Sequence, residues 1–214
     1  VRWRNARQAA CPAEASSAWE ILAFWRQCTG DTAGAHEATL AAEHCTRRAD
    51  AHTRCRQLAN TGRCLLDIES DPDRARRLLD EAAALAAELQ LPVMELEWGR
   101  GLAARAEGDL ERARESLTRA VAQARAAANH WREYECMLAL ATVEYEQGLT
   151  EAVVRHADEV AAAARRMGES QVPFADALAA LARARRGDAD AGVAVQASID
   201  ALRERDDQAH LAYV

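Results

Sequence analysis

The chain has 214 residues, of which 50% are hydrophobic and 29% charged, with a formal net charge of −7. It holds 52 Ala against 10 Gly, 4 Pro, 2 Phe and 3 Tyr, and its 27 basic residues are all Arg. Ala is the strongest helix former and aromatic residues favour strands, so the composition argues against a β-sandwich or barrel. The apolar content argues equally against a disordered chain, and the acidic balance against a general nucleic-acid binder.

No run of about 18 apolar residues lacks charge, so no transmembrane helix is expected, and no secretory leader pattern opens the chain. A cytoplasmic location follows as the expectation. The start at Val1 and the helix-like closing run Ala209–Val214 suggest a piece of a longer polypeptide. Arg without Lys beside so much Ala suggests a high-GC bacterial genome. The six Cys (11, 28, 45, 55, 64 and 136) fall mostly within helical patterns, unlike the dense spacing of a disulfide scaffold.

In chain order, the periodicity predicts helix pairs at 13–28 with 31–47, 50–68 with 72–89, and 92–107 with 110–128. Two more follow at 130–147 with 151–167, and 172–186 with 189–205. Residues 207–214 begin a sixth pair. Asn129 and Thr150 read as helix caps, Pro72, Pro92 and Pro173 as helix openers, and Gly168 as a stop. Between paired helices stand Gly30, Ser70, Gly108, Gly148 and Gly187, at spacings of 40, 38, 40 and 39. Asp follows four of these five, so one helix ends on a left-handed Gly and the next begins on a capping Asp.

The second helix of each pair repeats in register. Five residues past the turn come Ala35, Ala75, Ala113, Val153 and Gly192. Nine past come Thr39, Leu79, Leu117, Ala157 and Gln196, and twelve past come Ala42, Ala82, Ala120, Val160 and Ile199. Spacings of four and three place these on one helix face, where small residues let paired helices approach. Gln196 departs from the pattern and marks the fifth unit as worn or terminal.

The run Trp19-x-x-Leu22-Ala23, then Gly30-Asp31, then Ala35, Thr39 and Ala42 resembles the tetratricopeptide repeat. The period near 39 exceeds that repeat's 34 residues, and the usual Pro near each repeat's end is absent. The resemblance implies an all-α, right-handed superhelical solenoid of about five helix–turn–helix repeats forming one domain over residues 1–214. Its repeats would span about 13–47, 50–89, 92–128, 130–167 and 172–205. In composition and period the chain also looks like the helical arrays of large bacterial signalling ATPases and LuxR-type transcription activators. That likeness implies a non-catalytic protein–protein interaction platform, the sensing region of a regulator. The alternatives are a stand-alone scaffold that forms homo-oligomers and, after it, a metal-responsive helical module.

In the tetratricopeptide family the first helix of each pair lines a concave groove. The groove offsets ten, six and three residues before the turn give Glu20, Phe24 and Gln27, then Asn60, Cys64 and Asp67. They continue with Trp98, Leu102 and Arg105, then Leu138, Thr142 and Tyr145. From these, Glu20, Phe24, Asn60, Asp67, Trp98, Arg105 and Tyr145 are the expected partner-binding residues. The partner would be a protein or peptide segment, or a neighbouring domain of the same polypeptide, and neither nucleic acid nor membrane. Asn60→Ala and Arg105→Ala would then weaken binding and leave stability unchanged. The large aromatics inside helices, Phe24, Trp25, Trp98, Trp131, Tyr134 and Tyr145, are otherwise expected to plug the core.

Catalytic signatures are absent: no G-x-S-x-G, phosphate loop, H-E-x-x-H or dinucleotide fingerprint occurs, so no enzyme and no cofactor are expected. His52 and Cys55, three apart with His44 and Cys45 nearby, are the one pair spaced to share a metal, but no C-x-x-C fixes a site. The eight Arg between Arg47 and Arg77 are interleaved with five acids and read as an ion-paired surface.

Overall fold

A computed structural model describes residues 12–47, 49–67, 71–167, 172–205 and 207–214. The expected Ser70 turn, the Gly168 stop, Cys11 and the segment 1–10 lie outside the described residues. All regular structure among the described residues is α-helix. In order these are α1 (Pro12–Cys28), α2 (Thr32–Thr46), α3 (Ala51–Asp67), α4 (Pro72–Leu89), α5 (Met94–Ala106) and α6 (Leu110–Ala126). They continue as α7 (His130–Glu146), α8 (Thr150–Met167), α9 (Val172–Arg186), α10 (Ala191–Glu204) and α11 (Gln208–Tyr213). The chain divides into two compact units, residues 1–103 and 104–214. No described helix is long and apolar enough to cross a membrane.

The turns form by the chemistry read from their residues. Gly30, Gly108, Gly148 and Gly187 have φ of 77°, 80°, 76° and 88°, a conformation that costs any residue with a Cβ. At Gly108 the chain closes its helix with two reversed bonds: Gly108 N–H donates to Arg105 O at 3.0 Å and Asp109 N–H to Ala104 O at 2.9 Å. The following Asp then caps. Asp31, Asp71 and Asp109 accept from the backbone N–H of Gly34, Arg74 and Arg112 at 2.9, 3.0 and 3.1 Å. Asn129 does the same for Arg132.

Three boundaries differ from expectation. Thr150 is the first residue of α8 rather than its cap, and Pro92 stands in the 91–93 connection before α5 opens at Met94. At the fifth turn Asp188 does not cap: Arg186 takes its carboxylate at 2.9 and 2.5 Å. The turn therefore lengthens, and α10 begins at Ala191 with Asp190 making no capping bond.

In the first unit α1 packs on α2, α2 on α3 and α3 on α4; in the second α6 packs on α7, α7 on α8, α8 on α9 and α9 on α10. The small-residue register is buried in each pair before the fifth. Ala35, Ala75, Ala113 and Val153 are fully buried, as are Ala42, Ala82, Ala120 and Val160, with Thr39, Leu79, Leu117 and Ala157 between them. In the fifth pair the buried set stands one residue earlier: Ala191, Ser198 and Leu202 are buried while Gly192 and Gln196 are exposed. A Cβ added at Gly192 meets no atom within 4 Å. Gly192→Ala is therefore expected to stabilise the second unit by about 0.5–1 kcal/mol, read as a higher urea midpoint with unchanged slope.

Candidate functional site

The expected groove residues divide into two groups, one in each unit. In the first unit Arg63 of α3 organises the site. This guanidinium is 8% exposed. Its Nε donates to Asn60 Oδ1 at 3.1 Å, its Nη1 pairs with Asp67, and its Nη2 donates to Cys64 Sγ at 3.0 Å. Its flat face lies 4.2 Å from the Trp98 ring centroid. Asn60 and Trp98, expected on an open groove, are each only 4% exposed. The reason is Arg63, which draws Asn60 and Asp67 to itself and covers the indole. At the helix end Gln27 Nε2 donates to the Asp67 carbonyl at 3.0 Å.

Glu20 and Phe24 lie on α1, both half-buried. Phe24 packs edge-on against Trp25 at 6.5 Å between centroids, and Trp25 is 64% exposed together with Ile21 at 61%. Of the six helical aromatics, Trp98 and Tyr134 are interior, Phe24 and Tyr145 half-buried, and Trp25 and Trp131 exposed.

In the second unit Arg105 and Tyr145 are half-buried, while Leu138 and Thr142 are buried. Arg105 grips Glu146 through both carboxylate oxygens, with Nε at 3.0 Å from each and Nη2 at 2.6 Å. Tyr145 stacks under the Arg185 guanidinium at 3.7 Å and meets Tyr213 edge-on at 6.4 Å. Tyr213 of α11 donates to Glu146 Oε1 at 3.2 Å and meets the Phe174 ring edge-on, and His210 stacks on that ring at 4.0 Å. Burial, and then the neighbouring Glu146 carboxylate, push the Tyr213 phenol well above its usual 10.0. A raised pKa contributes stability that is complete below pH 10 and is lost as pH climbs through the folded value. The ultraviolet titration of the chain is therefore expected to lose a component well above pH 10 in Tyr213→Phe, and α11 is expected to leave as that component ionises. A Tyr213→Phe difference titration centred near pH 10 would contradict this.

Sequence reasoning missed Arg63, Glu146, Arg185 and Tyr213. Glu146 and Arg185 each stand two residues before a turn Gly, one position beyond the offsets inspected. Arg63 looked like one more solvated Arg in a charged run.

The metal pair does not converge. His52 is exposed, while Cys55 is fully buried with its Sγ 3.3 Å from the Ala82 carbonyl. Burial, and then the Glu95 carboxylate, raise the Cys55 thiol pKa and disfavour the thiolate a metal needs. Among the described residues no group of three or more His, Cys, Asp or Glu is placed to hold a metal ion. The Arg-rich run is ion-paired as read, with Arg74 to Glu43 at 2.6 Å, Arg76 to Asp73 at 3.1 Å, and Arg54 to Glu81.

No family model matches the chain, and neither does any curated protein. Solved structures do. Aspartyl phosphate phosphatase F from Bacillus subtilis superposes with a TM-score of 0.64 at 13% identity, over 92% of this chain and 51% of the other. The chain thus spans about half the length of that protein. Two structures of kinesin light chain nearly identical TPR-like repeats from Podosopora anserina superpose with TM-scores of 0.59, for a point-substituted form, and 0.57. Each is 17% identical and covers 92% of this chain, with 99% and 98% of the other chain matched. The likeness is one of fold: an all-α array of helix pairs of the TPR-like kind.

Proposed function

We propose that the chain is a non-catalytic protein–protein interaction platform, the sensing or interaction region of a bacterial transcriptional or signalling regulator. The observation that supports this most is the second-unit cluster of Arg105, Glu146, Tyr145 and Arg185. It presents arginine and tyrosine, the residues that dominate binding energy in protein interfaces, half-exposed and already fixed in geometry. Arg105 is held by a carboxylate that a partner's carboxylate can replace in kind. In the first unit Glu20, Phe24 and Asp67 make a separate proposed contact surface, with Asn60 and Trp98 supporting it from beneath. The partner is a protein or peptide segment, or a neighbouring domain of the same polypeptide.

A photo-cross-linking residue at position 145 should trap one defined partner in the source cell, and one at the exposed position 151 should not. Arg105→Ala should lower that yield about tenfold with little loss of stability, since its pair with Glu146 is partly solvent-screened. Equal trapping from both positions, or an unfolded Arg105→Ala protein, would refute this surface. The regulator reading further expects a nucleotide-binding or DNA-binding segment in the same reading frame, which sequencing the whole frame tests.

A second reading, an oligomerising scaffold, draws on one observation: exposed Ile21 and Trp25 lie one turn apart on α1. A monomer mass by light scattering across micromolar concentrations would remove it.

A further inference from the structure

We propose that the cleft between α6, α7 and α8 is a binding site for a small organic cation with an apolar body, an arylalkylamine in chemical class. The cleft measures about 440 Å3, within the usual range for small-molecule sites. None of its residues belongs to the Arg105–Tyr145 surface.

The space has a sequence origin. Fifteen residues past the turn the first three repeats carry Cys45, Leu85 and Gln123, all larger than the Ala163 found here. With Ala162 beside it, α8 leaves open the volume that a Leu would fill. The floor is the interior ring of Tyr134 and the Met137 side chain, whose sulfur also accepts from Arg125 Nη2 at 3.4 Å, leaving the ring and the methionine methylenes to receive an aryl group.

The rim supplies the charge preference. Arg125 Nε donates to Glu133 at 2.6 Å, while its Nη2 reaches Glu159 only at 3.4 Å. Two carboxylates thus share one guanidinium, and the trio keeps one negative charge. Glu133 is the main cause holding the Arg125 pKa above its usual value, so Arg125 remains satisfied if Glu159 turns away. Glu159, with its side chain 46% exposed, has lone pairs to offer an incoming ammonium. An anion has no such opening, because it must displace both carboxylates from Arg125. His130 stands at the mouth, 3.7 Å from Glu133, and limits the length of the ligand.

The test is a titration of the whole chain with 2-phenylethylamine, followed by amide chemical shifts. Saturable shifts should fall on residues 125–137 and 159–163, with a dissociation constant of roughly 0.1–1 mM for so small a ligand. The neutral isostere 2-phenylethanol should bind about tenfold more weakly, and phenylacetate more weakly still. Glu159→Gln should lower amine affinity about tenfold and leave alcohol binding unchanged. Ala163→Leu, a residue the α4 equivalent already carries, should abolish binding of both. No saturation by about 10 mM, equal affinity for amine and alcohol, preference for phenylacetate, or full binding by Glu159→Gln would each overturn the proposal.

Discussion

Arg63→Ala is expected to destabilise the first unit by about 3 kcal/mol, measured by urea unfolding with Trp98 fluorescence as the local probe. The side chain is interior, so its removal takes a donor away from both Asn60 Oδ1 and the Asp67 carboxylate. It also uncovers the Trp98 face, against which the guanidinium rests at 4.2 Å. Asn60→Ala removes one bond of the same network and should cost about 1 kcal/mol. Replacing Arg63 by Lys should recover little, because an ammonium cannot stack flat on an indole while donating to Asn60 and Asp67. A loss below about 0.5 kcal/mol for Arg63→Ala would show that water enters and replaces the guanidinium. The distinction matters for function. If the network is structural, loss of partner binding in Asn60 or Trp98 variants reports unfolding rather than a broken contact, and only Arg105 and Tyr145 variants probe the surface cleanly.

The same network shows why the fold was legible in the sequence and the site was not. Turn glycines and capping aspartates act locally, within four or five residues, so Gly108-Asp109 announces its own geometry. The small positions at five and twelve past each turn are spaced by helix geometry alone, and the first four units bury them as spaced. Arg63 is different. Its burial depends on Trp98, thirty-five residues away, and on three partners chosen by side-chain geometry rather than spacing. The longer turn of the fifth pair has the same origin, since Asp188 could cap α10 or pair with Arg186 and spacing does not decide between them. The cleft at Ala163 lay within reach of sequence comparison, as an Ala where the first three repeats hold Cys45, Leu85 and Gln123.

Leu79 of α4 lies between two glycines, and the second large effect is expected there. A Cβ added at Gly99 of α5 would stand 2.5 Å from Leu79 Cδ2, and one added at Gly62 of α3 would stand 3.0 Å from both Leu79 Cγ and the Ala75 carbonyl oxygen. The helices thus approach so closely that this leucine, 5% exposed, fills the space of two absent side chains. Leu79→Ala should cost about 3 kcal/mol through the cavity it opens. Gly99→Leu alone should cost about 2–3 kcal/mol by overpacking, despite the better helix propensity of Leu. Combined, the two changes restore the buried volume, so the double variant should lose at least about 2 kcal/mol less than the sum of the singles. A strictly additive double variant, measured by denaturant titration, would mean that the two positions do not share one space. At Gly62 no such rescue is expected, because there the obstacle includes a backbone carbonyl that shortening Leu79 does not move. The contrast between the two glycines separates side-chain crowding from backbone contact, and so identifies which helix crossing sets the spacing of the first unit.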